Sequence, residues 1–289
     1  MFDYVKMVID KPGFNNELVK NPLLSFLIQV NSQTGEIPIN KQIAQYKGLT
    51  FTVYETGRVE IKGSLHKYWN NGVHNYNDFS FEAVQSVIED LRLKFGVDSF
   101  LARISNLEIG LNINTPFEPK GLLDRVLAYN NSQFNKMVIK GNGLGKEVLK
   151  QQYKIKIYDK GSQYLQPQKI LRFEKKYIKM INLREGVITL SDLGHLGFAQ
   201  LCLNQLIDSF DNVVITETIN LKSLTKCDFR IYEFCNNPLN WERMNRKKRH
   251  RYKQKFEFII SEFGKEALKK TIRTLLLAKA MDLIKMRTF

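Results

Sequence analysis

The sequence predicts an α+β fold, with a sheet-rich first part and a helical later part. Two short β-rich runs, residues 49–55 and 59–63, flank a Thr-Gly pair, and a two-residue link containing glycine is typical of a β-hairpin. Residues 104–114 alternate apolar and polar side chains, as a strand with one buried face does. Helical periodicity dominates from about residue 191, so strands and helices are segregated along the chain.

The other elements follow in chain order. We expect a helix over residues 80–95, because Ser80 is a preferred N-cap residue and Gly96 stands just past the last apolar position. Further helices are expected after residue 190, with breaks near Gly194 and Gly264. The remaining predicted elements are a short helix over residues 121–129, a Gly-rich loop within 134–147, and strands over 153–160 and 169–179.

The charge of the chain favours a polyanionic partner. Its 289 residues include 44 Lys and Arg against 29 Asp and Glu, a net charge of +15, while 43% of residues are hydrophobic. The apolar content is that of a globular protein, and the positive surplus attracts nucleic acid through phosphate neutralisation. A basic protein without a functional patch is the alternative. We divide the chain into a sheet-rich region, residues 1–188, and a helical, basic region, residues 189–289.

Cysteine usage and hydropathy indicate the compartment. Three cysteines, with no Cys-x-x-Cys pair, argue against a disulfide framework and against a cysteine zinc site. The chain has no run of about 18 apolar residues, and its start lacks an apolar stretch of signal-peptide length. We therefore expect a cytoplasmic protein with no membrane span.

Residues 153–160 carry the strongest chemical signal. In a strand, the isoleucines of this run share one face, and the other face carries a tyrosine among lysines: Lys154, Lys156, Tyr158 and Lys160. Nearby positive charge favours a phenolate and would lower the pKa of Tyr158, and the same lysines would contact a DNA backbone. A tyrosine nucleophile for a phosphodiester needs this environment. The alternative is an exposed strand whose tyrosine packs across lysine stems.

Carboxylates on polar strand faces are the candidate metal ligands. Glu108 shares a face with Asn106 and Asn112, and Mg²⁺ and Mn²⁺ prefer hard oxygen ligands. A solvated polar face is the alternative for Glu108. Glu174 shares a face with Arg172, which predicts either a salt-bridged pair or a metal ligand beside a phosphate-binding arginine.

A dense basic run lies in the helical region between Trp241 and Phe256. Its candidate DNA-binding cations are Arg246, Lys247, Lys248, Arg249, Arg251 and Lys253. Apolar residues from Phe256 onward give this helix a side that can pack on the protein, which leaves the basic side for a duplex backbone. A solvated basic face is the alternative.

Four segments, in this order, resemble the filamentous-phage gene II replication protein and its phage and plasmid relatives. They are residues 46–64 with a trailing His74-Asn75 step, the strand segment 104–109, a Tyr-x-Lys step within 157–160, and an Arg-Phe-Glu strand within 171–174. In the second segment this chain has Asn106 where the family has Arg, and Glu108 where the family has Asp.

The resemblance implies a rolling-circle replication initiator that nicks one strand at a duplex origin. Tyr158 would attack a phosphodiester, leaving a 5′-phosphotyrosine and a free 3′-hydroxyl, and would later rejoin the strand without ATP. Lys160 and Arg172 would offset charge on the phosphate oxygens. A divalent cation, Mg²⁺ or Mn²⁺, would polarise the phosphate. The implied ligands are Glu108, Glu174, Glu60 and His74.

The resemblance also implies a central antiparallel sheet with helices on one side, and with Tyr158 and Glu108 on the exposed sheet face. The implied partners are origin DNA, as duplex and as single strand, and a host polymerase and helicase in the cytoplasm of a bacterial host. Two other functions stay open. A mobilisation relaxase would use the same chemistry, whereas a non-catalytic origin- or RNA-binding protein would not need Tyr158.

Overall fold

The computed structural model of the chain describes residues 1–28, 30, 32–37, 41–139 and 143–285. Its strands are β1 (Phe2–Ile9), β2 (Leu27–Ile28), β3 (Lys41–Tyr46), β4 (Leu49–Tyr54), β5 (Val59–Ser64), β6 (Arg103–Asn114), β7 (Val126–Tyr129), β8 (Ser132–Gln133), β9 (Asn135–Val138), β10 (Leu144–Leu149), β11 (Tyr153–Asp159), β12 (Ile170–Tyr177) and β13 (Val213–Ile215). Its α-helices are α1 (Phe14–Val19), α2 (Leu65–Trp69), α3 (Phe81–Phe95), α4 (Pro119–Arg125), α5 (Lys160–Gln163), α6 (Leu190–Leu193), α7 (Leu196–Asp211), α8 (Lys226–Asn236), α9 (Pro238–Arg243), α10 (Arg246–Phe263) and α11 (Leu268–Ile284).

One large antiparallel sheet organises the described residues. Its ten strands lie in the order β2-β3-β4-β5-β1-β6-β12-β11-β10-β9. A smaller sheet has the order β13-β7-β8. The predicted α+β fold, with a central antiparallel sheet, flanking helices and a helical, basic C-terminal region, is therefore confirmed. None of the described helices is both long enough and apolar enough to cross a membrane.

The strongest sequence signals gave correct elements. The predicted hairpin is β4 paired with β5, and Gly57 in its turn has the positive φ of 84° that favours glycine. Helix α3 begins after Ser80, whose side chain accepts a hydrogen bond from the Ala83 amide at 3.2 Å. It ends at Phe95, and Gly96 follows with a left-handed φ of 66°, as expected for a helix C-terminus.

The apolar face of the large sheet forms the main core. The apolar residues of β6 are buried, and α7 and α11 pack on this face. Phe173 of β12 packs edge to face on Phe210 of α7, with 5.2 Å between the ring centroids. Because this face of the sheet is committed to the core, the alternating polar residues Glu108 and Asn112 of β6, Lys156 and Tyr158 of β11, and Arg172 and Glu174 of β12 lie on the opposite face.

A second apolar cluster holds the basic helix α10 in place. Trp241 is fully buried and donates from Nε1 to the Cys235 carbonyl at 2.7 Å. Its ring lies 6.1 Å from that of Phe256, and Ile259 of the same helix is also buried. The helix predicted around the basic run thus has the apolar side that the sequence indicated.

Two predicted elements were wrong in part. The helix predicted over residues 121–129 ends at Arg125, and the next four residues form β7, buried against β13 and β8. The predicted Gly-rich loop within residues 134–147 contains β9 and β10, while residues 140–142 lie outside the described residues. An apolar run of four residues is compatible with a helix and equally with a buried strand. Residues 126–129 form a strand because β13 and β8 pair with them.

Candidate active site

A buried arginine stands at the centre of the polar sheet face. Arg172 of β12 is 2% exposed. Its Nε donates to Glu174 Oε2 at 2.5 Å, and its Nη1 donates to Asn112 Oδ1 at 2.9 Å. Its Nη2 donates to Asp3 Oδ2 at 2.8 Å. One rigid guanidinium therefore links side chains of β12, β6 and β1.

Gly110 makes room for this guanidinium. It lies on β6 between Glu108 and Asn112, on the same face, and pairs with Glu174 across the sheet. A Cβ added at Gly110 would lie 2.8 Å from Arg172 Nη2. The absence of a side chain at this position lets Arg172 cross over β6 to reach Asp3.

Three carboxylates meet around Arg172. Asp3, Glu108 and Glu174 are all buried, and one oxygen of each lies within 4.8 Å of the others. Within the described part of the chain, these three form the group of acidic, histidine or cysteine side chains close enough to share a metal ion. Their oxygens are hard ligands of the kind that Mg²⁺ and Mn²⁺ prefer.

The three carboxyl groups differ in how readily they ionise. Burial and the neighbouring Glu174 raise the pKa of Glu108 to about 7. Burial acts in the same sense on Glu174, but Lys156 and Arg172 outweigh it and hold the pKa of Glu174 far below its usual range. For Asp3, Arg172 and then Lys160 likewise overcome burial and lower the pKa. Near neutral pH, Glu108 is thus the carboxyl group that gains or loses a proton.

Tyr158 belongs to this cluster, but not in the way the sequence predicted. Its hydroxyl donates to Glu174 Oε2 at 3.2 Å and accepts from Lys160 Nζ at 3.4 Å. The predicted exposure is wrong for Tyr158, which is 6% exposed, and for Glu108, which is also buried. The predicted lowering of the Tyr158 pKa is wrong as well. Burial and the Glu174 carboxylate raise that pKa well above its ordinary value.

The lysines around Tyr158 have acidic partners or are buried. Lys156 pairs with Glu108 at 2.9 Å and also with Glu174, which explains why its charge does not favour a phenolate. Lys154 pairs with Glu147 at 3.0 Å. Both lysines were predicted to contact a DNA backbone, and in the structure each is paired with a carboxylate.

Lys160 lies beyond the strand that was predicted to carry it. β11 ends at Asp159, whose side chain caps α5 by accepting from the Ser162 amide at 2.9 Å. Lys160, the first residue of α5, is 2% exposed, and its Nζ lies over the rings of Tyr158 and Tyr164. Burial and the nearby Arg172 lower the pKa of Lys160 to about 7.

Three further predicted roles do not fit the geometry. Glu60 pairs with Lys6 at 2.8 Å and lies opposite Val8 on β1, at the far end of that strand from Asp3. His74 stacks on Tyr76 and does not join the carboxylate group. Arg172 is enclosed by protein partners, so it positions the carboxylates and is not available to a phosphate.

Asp3 is the site residue that the sequence prediction missed. It is held by Ser64 and by Asn75, whose Nδ2 donates to Asp3 Oδ2 at 2.6 Å. Asn75 in turn accepts from the Tyr164 hydroxyl at 2.8 Å. An acidic residue inside the apolar opening run was the available signal, and in the His74-Asn75 step it is Asn75 that reaches the site.

The basic run forms a second charged surface. Its helix, α10, begins after Asn245, which caps the helix by accepting from the Lys248 amide at 2.9 Å. A cleft of about 700 Å³ lies beside it. The basic residues that line this cleft, which we call the basic cleft, are Arg246, Lys247, Arg249, His250 and Lys253. Lys248 lies instead over the rings of Phe234 and Tyr252, and Arg251 is exposed.

Comparison with known proteins adds one weak structural similarity. A solved structure described as a rolling circle replication initiator protein from Geobacillus stearothermophilus has a TM-score of 0.43 and 12% sequence identity with this chain, over 78% of this chain and 88% of that one. No protein-family model and no curated protein match the chain. A similarity at this level leaves the function to be argued from the site itself.

The raised pKa of Glu108 predicts a pH-dependent stability. An acid whose pKa rises on folding, here from 4.5 to about 7, destabilises the fold once it ionises, so stability is lost as pH rises through that window. Replacing Glu108 by Gln removes this loss. The free energy of unfolding of Glu108→Gln, taken relative to wild type at the same pH, should therefore be higher at about pH 8 than at about pH 5. The expected increase is on the order of 2 kcal/mol.

Urea unfolding at the two pH values measures this gain. The exposed Glu185→Gln variant is the control and should show no such gain. An equal pH dependence in wild type and Glu108→Gln would contradict the assignment of the titrating group.

Proposed function

We propose that the chain is a DNA nicking and rejoining enzyme of the rolling-circle replication initiator type, with Tyr158 as its nucleophile. The observation that carries the proposal is the hydrogen bond of the Tyr158 hydroxyl to Glu174, one of three buried carboxylates that can hold a divalent cation. A phenol beside such a group is the arrangement that covalent attack on a phosphodiester requires.

Asp3, Glu108 and Glu174 fit a divalent cation by their chemistry and spacing. All three offer carboxylate oxygens, within 4.8 Å of one another. When bound, Mg²⁺ or Mn²⁺ would supply positive charge to the oxygens of the scissile phosphate. Lys156 contacts Glu108 and Glu174 and offsets part of their negative charge. Arg172 holds Asp3 and Glu174 at fixed positions.

In the proposed step, the Tyr158 oxygen forms a bond to phosphorus while the bond from phosphorus to the 3′ oxygen breaks. The phenol proton passes to the unprotonated form of Lys160, whose Nζ lies 3.4 Å from the Tyr158 oxygen and whose pKa is lowered to about 7 by burial and Arg172. The 3′ oxygen takes a proton from solvent water and leaves as a hydroxyl, and the 5′ phosphate stays on Tyr158. The reverse attack by a 3′-hydroxyl restores the strand, so no ATP is needed.

Access to Tyr158 requires a local opening. The backbone carbonyls of residues 75–77 accept hydrogen bonds from Asn112, and this segment together with Tyr164 covers the end of the sheet face where the carboxylates meet. We propose that the bound strand displaces this cover before the reaction. The enclosure would otherwise keep water away from the phosphotyrosine.

The two regions of the chain would divide the work. Residues 1–188 would carry the nicking chemistry, and residues 189–289 would hold the duplex origin through the basic cleft and the neighbouring cations of α10. The free 3′-hydroxyl would prime a host polymerase, with a host helicase opening the duplex ahead of it.

Tyr158→Phe tests the proposal directly. The variant keeps the ring but loses the attacking oxygen. The rate at which it nicks supercoiled DNA that carries the origin, in Mg²⁺ or Mn²⁺, should therefore fall at least about a hundredfold, while its affinity for DNA stays unchanged. Conversion of supercoiled to open-circular DNA on agarose gels measures the rate. Tyr153→Phe is the matched control, since Tyr153 begins the same strand but packs on Tyr129.

Nicking by Tyr158→Phe at the wild-type rate would refute the nucleophile. Absence of nicking by wild type with either metal would favour the non-catalytic origin- or RNA-binding protein. A mobilisation relaxase would give the same result as a replication initiator in this assay, because its chemistry is the same.

The basic cleft predicts a change in the salt dependence of DNA binding. If Arg246 and Lys247 contact phosphates, replacing both by Gln removes two released counterions. The slope of log affinity against log salt should then become shallower by roughly two. Fluorescence anisotropy over a salt series measures the slope.

Lys226 and Arg230, exposed cations of α8 outside the basic cleft, provide the matched control. Their double exchange to Gln should leave the slope unchanged. An unchanged slope in the Arg246 and Lys247 variant would move the duplex contact to another surface.

A further inference from the structure

A second cleft lies along the later half of α10. It has a volume of about 580 Å³, within the range of small-molecule sites. Its apolar walls come from Val214, Ile215, Phe256 and Ile260. Its charged rim consists of Lys253, Lys269, Lys270, Arg273, Asp211 and Glu257. The cleft is thus apolar inside and carries more positive than negative side chains at its edge.

Glu217 lines this cleft and is the unexplained group in it. It is 3% exposed, and among the described residues no hydrogen-bond donor reaches its Oε2. The backbone carbonyl of Glu217 accepts from the Tyr232 hydroxyl at 2.8 Å, so the unpartnered atom is the side-chain oxygen Oε2. A buried carboxylate without a donor is strongly unfavourable, and such groups are rare in folded proteins.

Gly264 packs closely beside this carboxylate. Gly264 also lines the cleft, and a Cβ added there would lie 3.0 Å from Glu217 Oε2 and would collide with the Ile260 carbonyl. A backbone bridge between Ile219 and Gly264 fixes the two segments side by side. The wall of the cleft next to Oε2 is therefore glycine backbone, which has no side chain that could donate to the carboxylate.

The rim can receive an anion. Lys269 pairs with Glu257 at 2.5 Å, and Arg273 pairs with Asp211 at 2.7 Å. Lys270 is exposed, and the described residues supply it with no ion pair. Lys253 donates to the Asp211 carbonyl at 2.7 Å and lines both this cleft and the basic cleft.

A ligand that satisfies all of these features has N–H donors at one end, an apolar flat body and an anionic group at the other end. A nucleotide has this composition. Guanine offers two adjacent N–H donors that match the two oxygens of a carboxylate, whereas the single ring N–H of thymine lies between two carbonyl acceptors.

We propose that this cleft binds a guanine nucleotide, with the base on Glu217 and the phosphate on the cationic rim. The nucleotide could be free in solution or an unpaired residue of a DNA strand that follows α10 from the basic cleft, since the two clefts share Val214 and Lys253. This site goes beyond the proposed nicking function and does not use Tyr158.

Calorimetric titration of the full chain carrying Tyr158→Phe keeps the test independent of nicking. dGMP should bind at least about tenfold more tightly than TMP, because thymine leaves the carboxylate without matching donors. Glu217→Gln should remove this preference. Lys270→Ala, an exposed change, should weaken dGMP but not deoxyguanosine, whereas Lys226→Ala should have no effect.

Single-stranded oligonucleotides of about 12 residues, with one central guanine or one central thymine in an otherwise identical sequence, identify the source. If the Glu217-dependent preference for guanine is found with dGMP alone, the site binds a free nucleotide. If it is found with the oligonucleotide alone, the site binds a nucleotide of a DNA strand. Either result supports guanine binding in this cleft. Equal binding of guanine and thymine in both forms, or a preference that survives Glu217→Gln, would overturn it. Neither result alters the outcome of the nicking assay on wild type.

Discussion

The candidate site depends on the burial of the Arg172 guanidinium. A buried cation is tolerated only when its donors are satisfied, and here Asp3, Asn112 and Glu174 satisfy them from three neighbouring strands. Loss of the guanidinium would leave the carboxylates of Asp3 and Glu174 buried without compensation, at a cost on the order of 3–5 kcal/mol. The same contacts that hold the middle of the sheet together thus fix the acidic group beside Tyr158.

This arrangement explains why the enclosed tyrosine is not activated in advance. Burial and then Glu174 raise the pKa of the Tyr158 hydroxyl, and Lys156, whose charge would lower it, is paired with carboxylates. Reactivity would therefore arise when a strand and a divalent cation change the charge balance around Glu108 and Glu174. Under the proposed function, a tyrosine that stays protonated until its substrate arrives would limit nicking to the bound origin.

The sequence predicted those features that repeat with a regular period. β6 alternates clearly, and Tyr158 was correctly assigned to the same sheet face as Lys156. β1 was not predicted, because it pairs with β5 and β6 in the middle of the sheet and lacks a simple alternation, and Asp3 was missed with it. The burial of Tyr158 could not be predicted either. Residues 75–77, which lie over the same sheet face through Asn112 and Asp3, are distant in sequence, and strand periodicity says nothing about what lies above a face.

The most direct measurement is the mass of the peptide that contains Tyr158 after the protein has reacted with an origin oligonucleotide in Mn²⁺. The account predicts a covalent 5′-phosphonucleotide on Tyr158 and a matching oligonucleotide fragment that ends in a 3′-hydroxyl. An adduct on Tyr153 or Tyr164 instead, or DNA cleavage without any protein adduct, would contradict it.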